Sequence, residues 1–114
     1  MSDPWNAVVT PLDEPLRGAD TGPLAGRTLG VKDLIDVAGV RSTYGSRLYA
    51  DHIAGRNAVV VDRALAAGAV VIGKTNLPEF AWNVLGQNEL LGTCHNPVRP
   101  GLTTGGSSSG RTGL

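Results

Sequence analysis

Apolar residues recur along this 114-residue chain in short bursts, and their spacing predicts a few elements. Residues 28–37, TLGVKDLIDV, alternate imperfectly between apolar and polar positions and are bounded by Gly26 and Gly39. They read as a mostly buried strand that turns into a second extended piece, with Lys32 in the middle. A second burst begins at Asn57, a suitable helix cap: Ala58, Val61 and Leu65 fall on one helical face, Asp62 and Arg63 point away, and Gly68 supplies a left-handed stop. Residues 69–72, AVVI, then read as a fully buried strand of the parallel type. Strand, crossover helix and strand over residues 28–74 make an α/β pattern.

The rest of the chain is less periodic. Residues 1–26 hold Pro4, Pro11, Pro15 and Pro23 and are expected to be a surface lead-in segment with little regular structure. Residues 41–56 show no sustained period and read as a long loop with one helical turn. Asn76 and Pro78 open a brief helix over residues 77–85, and residues 86–114 are loop material.

Composition narrows the function classes. The length allows one domain, and 41% apolar with 18% charged residues calls for a core. Ten basic and ten acidic residues cancel, which removes the electrostatic footprint of a nucleic-acid or anionic-membrane binder. A single cysteine, Cys94, forms no internal disulfide and points to a reducing compartment, the cytoplasm by default. MSDPWNAVVT lacks the basic and apolar stretches of a signal peptide, and nowhere do eighteen apolar residues run together, so the expectation is a chain neither exported nor embedded. Sixteen glycines are about twice the average usage of roughly 7%, which suits turns and backbone amides brought close to a ligand.

Several constellations invite chemistry. Gly68-Ala-Val-Val-Ile-Gly73-Lys74-Thr75 matches the letters of a phosphate loop, yet its variable positions are the best strand segment in the chain, and Pro78 restricts the helix that such a loop needs. Nucleotide binding is therefore discounted. His52, Cys94 and His95 lack the spacing of a metal site, and Asp33 and Asp36 read as ordinary surface charges beside Lys32. The run Thr103-Thr-Gly-Gly-Ser-Ser-Ser-Gly110 fits either a flexible tail or a tight loop that presents backbone N–H groups and hydroxyls for acyl transfer. Such a site needs a base, and the only lysines, Lys32 and Lys74, are the candidates. A base working near pH 7 must be neutral, which requires a lysine held below its usual value of about 10.4; burial among Leu29, Val31, Leu34 and Ile35 would contribute for Lys32.

GPLAGRTLGVKDLIDVAGV, NAVVVDRALAAGAVVIGKTNLPEF, GQNELLGTCHNP and TTGGSSSG follow one another in the order and approximate spacing of the amidase signature family, which the chain resembles over residues 22–110. The resemblance implies a hydrolase of carbon–nitrogen bonds in linear amides, with a mixed sheet flanked by helices, a serine, cis-serine, lysine triad, and no cofactor or metal. By motif, Lys32 matches the catalytic lysine and Ser107 the cis-serine that relays protons, with Ser108 and Ser109 as secondary members of the loop. The nucleophilic serine of the family lies downstream, in a second glycine-rich loop. Residues 27–114 are accordingly expected to be a truncated amidase domain ending just after the Gly/Ser motif, inactive alone and in need of a complementing chain. Two alternatives accompany this reading: the amidase-type subunit of a tRNA-dependent amidotransferase, and a non-catalytic remnant that serves as an interaction fragment.

Overall fold

Where the prolines of the first 26 residues predict little regular structure, the chain forms a ten-residue strand, β1 (Val8–Arg17), in a computed structural model that describes residues 3–111. The expectation fails because proline is excluded only from strands paired on both sides. β1 lies at a sheet edge, and its register is interrupted between Pro11 and Leu16, around Pro15. β2 (Thr28–Lys32) and β3 (Val70–Thr75) complete a three-stranded mixed sheet in the order β1-β3-β2. β1 runs antiparallel to β3 and β2 runs parallel to it. The second extended piece expected after Lys32 is instead a turn, and β3 reaches three residues beyond the predicted AVVI.

The crossover is α1 (Val59–Ala66). Asn57 does not cap it; Ala58 occupies the cap position without a side-chain bond. Asn57 Oδ1 accepts from Ala38 N at 2.7 Å and its Nδ2 donates to Asp62 Oδ1 at 2.8 Å, tying the preceding loop to the first turn. The stop is as predicted. Gly68 has φ +98°, its N–H donates to Leu65 O and that of Ala69 to Ala64 O, the paired bonds of a Schellman ending.

The predicted helix face packs inward. Val61 is buried with Val31, Val37 and Val71, and Leu12, Leu29, Ile35, Ala58 and Leu65 close around them. At roughly 1.5–3 kcal/mol for each fully buried aliphatic side chain, this cluster is the main apolar anchor between helix and sheet. Beyond β3 the brief helix expected over residues 77–85 reduces to a 3-10 turn at Glu79–Ala81, with Phe80 and Ala81 at positive φ. Other 3-10 turns lie at Arg47–Tyr49, inside the predicted long loop, and at Ser109–Arg111.

Side chains of asparagine hold the long irregular parts. Asn88 is nearly buried; its Nδ2 donates to Gly45 O and Leu77 O, and its Oδ1 accepts from Leu90 N and Leu91 N. Asn76 Nδ2 donates to Asn6 O and Gly92 O. Backbone groups that no ladder reaches are thus paired from side chains, which lets a loop-rich chain bury polar backbone. Among the described residues no helix is long and apolar enough to cross a membrane.

Candidate active site

The parallel register sets Lys32, the last residue of β2, beside Thr75, the last of β3. Cross-strand partners share a face of the sheet, so both side chains project towards the segment that covers these strand ends. That segment is the Gly/Ser run. Gly110 N donates to Asn76 O at 2.9 Å, just past the end of β3. A Cβ on residue 110 would lie 2.3 Å from Ala7 O, 2.5 Å from Asn76 N and 2.8 Å from Thr75 Cβ, so only glycine lets the loop approach this closely. Cys94, fully buried, donates its thiol hydrogen to Ser109 O at 3.3 Å from the other side. Of the two readings left open for residues 103–110, the tight loop is the one observed.

The approach brings two predicted residues together. Lys32 Nζ donates to Ser107 Oγ at 2.8 Å, and the Gly106–Ser107 peptide is cis. Burial lowers the Lys32 pKa below the usual lysine value of 10.5. Lys32 also lines an apolar cavity of about 430 Å³, together with Leu29, Val31, Ile35, Val61 and Ser108. Leu34, expected to help bury Lys32, is 40% exposed and does not line the cavity. Ser109 is fully buried, and its Oγ has no hydrogen-bond partner among the described residues.

Lys74, the other candidate base, is elsewhere. It pairs with Val31 in the ladder and therefore projects to the opposite face. Its Nζ donates to Asp33 Oδ1 at 3.0 Å and to Ser42 Oγ at 2.7 Å, and all three residues are fully buried. Desolvation lowers the Lys74 pKa and outweighs the attraction of Asp33. Asp33 Oδ2 accepts from the backbone N–H and the hydroxyl of Thr43. Asp33 is thus no surface charge. Asp36 is half-buried and accepts from Tyr44 Oη at 2.8 Å. Sequence reasoning missed this buried network; its one visible signal is a lysine one residue from the end of a strand that opens on an apolar run, which has to be paired if it is buried. The phosphate-loop letters at 68–75 fall on the Gly68 helix stop and on β3, the central strand, whose backbone groups are engaged by neighbours on both sides.

With this geometry in view, the relatives are informative. A family model described as Amidase matches residues 7–113. The chain is 44% identical over 106 residues to the A subunit of the glutamyl-tRNA(Gln) amidotransferase of Haloarcula marismortui, covering 93% of this chain and 24% of that protein. It is 46% identical over 91 residues to an acylamidase of Rhodococcus erythropolis, covering 80% of this chain and 19% of that one. The crystal structure of the A subunit of the Thermotoga maritima glutamyl-tRNA(Gln) amidotransferase superimposes with a TM-score of 0.83 at 31% identity, over 91% of this chain and 23% of that one. The chain spans only about a fifth to a quarter of the length of these proteins.

Proposed function

We propose, because this chain belongs to the Amidase family, that it supplies the lysine and the cis-serine of an amide-hydrolysing centre whose nucleophilic serine comes from residues outside these 114. The observation that carries this reading is the 2.8 Å hydrogen bond between Lys32 Nζ and Ser107 Oγ. A neutral amine at that distance accepts the hydroxyl proton of Ser107, which in turn takes the proton of an attacking serine and later delivers one to the leaving nitrogen. Burial beside an apolar cavity favours the neutral amine, as a general base requires. Lys32 is thereby the ultimate base and Ser107 the relay of a serine, cis-serine, lysine triad. A single reduced, buried cysteine suits a cytoplasmic setting.

The experiment is complementation. The 114-residue protein is co-expressed with the remaining part of the Rhodococcus acylamidase, and hydrolysis of simple aliphatic and aryl amides is followed. Turnover that needs both polypeptides and disappears in Lys32→Met and Ser107→Ala supports the reading. Turnover by the 114-residue protein unaided, or turnover that survives both substitutions, sinks it.

A second reading draws on the amidotransferase relatives: the same two residues would serve a polypeptide that releases ammonia from glutamine for a tRNA-dependent partner. Glutamine in the same assay separates the two, since a preference for glutamine over simple amides favours the amidotransferase role.

A further inference from the structure

Lys32 and Asp33 are consecutive, yet they serve opposite faces of the sheet: Lys32 meets Ser107 on one, and Asp33 meets Lys74 on the other. The pairing of β2 with β3 does not by itself settle which residue goes where. Leu29 pairs with Val71 and Gly30 with Gly73, so a register shift skips Ile72 three positions before Lys32. Side chains alternate with period two, and a slip of one residue past this irregularity would aim Asp33 at Ser107 and bury Lys32 among the core valines.

We propose that the buried Asp33–Lys74 pair is the positioning device that fixes this register and holds the Lys32 amine on Ser107. Asp33 is tied at every polar atom. Its N–H donates to Thr75 O at 3.0 Å, its carbonyl accepts from Tyr44 N at 3.2 Å, Oδ1 accepts from Lys74, and Oδ2 accepts from Thr43. Lys74 is anchored independently through Ser42. A carboxylate with both oxygens engaged inside the protein has one address, and the residue before it inherits that address. Buried ion pairs seldom add stability over apolar residues of equal volume, but breaking one is costly, so registry is the use that suits this pair. Asp33 and Lys74 touch no reacting atom; they act through Lys32.

This proposal rests on the reading of Lys32 and Ser107 as partners, and its test separates the two. The titration of Lys32 is followed by its ¹³Cε resonance in the whole 114-residue protein, in Asp33→Asn and Lys74→Met, and in Val71→Ala as a control that weakens the core without touching the pair. Arg27 and Arg111, the other charged groups lining the cavity beside Lys32, stay constant throughout. Loss of positioning releases the amine to solvent, so the Lys32 midpoint rises towards 10.5 in both pair variants and stays put in Val71→Ala. A through-space charge effect predicts otherwise for Asp33→Asn, where losing a negative neighbour lowers the midpoint. An unchanged or lowered midpoint in folded Asp33→Asn therefore overturns the proposal. Where a pair variant does not fold, Thr43→Val and Ser42→Ala, which each remove one anchoring bond, take its place: a raised midpoint supports the proposal and an unchanged or lowered one overturns it. If Ser107→Ala leaves the Lys32 resonance and titration unaltered, the underlying Lys32–Ser107 reading fails, whatever the pair variants do.

Discussion

Lys32 and Ser107, 75 positions apart in the sequence, meet in a 2.8 Å hydrogen bond at the end of the sheet. Neither residue is placed by its own neighbours alone. β2 delivers the amine, while the hydroxyl arrives on a loop held to β3 by the bond from Gly110 N to Asn76 O.

If these two groups move the proton, either substitution removes general acid–base assistance from the complemented enzyme. Lys32→Met and Ser107→Ala should each lower kcat by about 10²–10⁴-fold with a smaller change in KM. Lys32→Arg should be as damaging as methionine, because guanidinium keeps its proton at every working pH. Steady-state kinetics on a simple amide decide it; an active Lys32→Arg enzyme would rule out a neutral lysine base.

The Asp33–Lys74 pair should reveal itself in stability through non-additivity. Lys74→Met alone leaves a buried carboxylate without its counter-ion and should cost about 3–5 kcal/mol. Adding Asp33→Asn to Lys74→Met should recover part of that loss, since no charge then remains buried at this site. Urea unfolding of the single and double variants measures the coupling, and strictly additive losses would show that the pair does not interact as its geometry requires.

Lys32 has a lowered pKa in the folded state, so between that value and the unfolded value of 10.5 the unfolded chain binds more protons. Stability should consequently rise with pH across this alkaline window, the charged amine being the disfavoured form at lower pH. Lys74, lowered by burial, contributes with the same sign. Lys32→Met should flatten part of the slope, measured by urea midpoints at stepped pH; a slope equal to that of the wild type would place Lys32 in solvent.

Tyr44 acts in the opposite sense. Burial, reinforced by its hydrogen bond to Asp36, pushes its phenol up to about 12 from 10.0. The folded state therefore keeps a proton that the unfolded chain has lost, and this contribution to stability disappears as pH rises through about 12. Asp36→Asn should bring the phenol down, and titration of phenolate absorbance with Tyr49→Phe as background resolves Tyr44 alone. A Tyr44 midpoint indifferent to Asp36→Asn would dissolve the contact.

Gly110→Ala tests the close approach of the Gly/Ser loop. With a backbone oxygen 2.3 Å from the new Cβ, the loop has to lift from β3. The variant should lose the Lys32–Ser107 bond and unfold at distinctly lower urea concentration, while Gly26→Ala, at a glycine with open space around its Cβ, should cost only what its positive φ imposes, about 1 kcal/mol. Equal losses for the two would mean that the loop does not rest on the strand.

Much of this molecule was legible from local pattern. The α1 face of Val61 and Leu65 with the cap residue Ala58 before it, the stop at Gly68 and the β2–α1–β3 order follow from periodicity and turn chemistry, which act over a few residues. The motifs around Lys32 and Ser107 carry the family in the sequence itself, and the Amidase family model matches residues 7–113. Tertiary structure alone decided that residues 8–17 form an edge strand, that Asp33 and Lys74 neutralise each other in the interior, and that the Gly/Ser loop is held at the end of β3 through Gly110. The reason is physical: propensity and spacing encode interactions between near neighbours. The fate of a proline in a strand or of a charged side chain depends on which distant segment covers it and whether water is excluded.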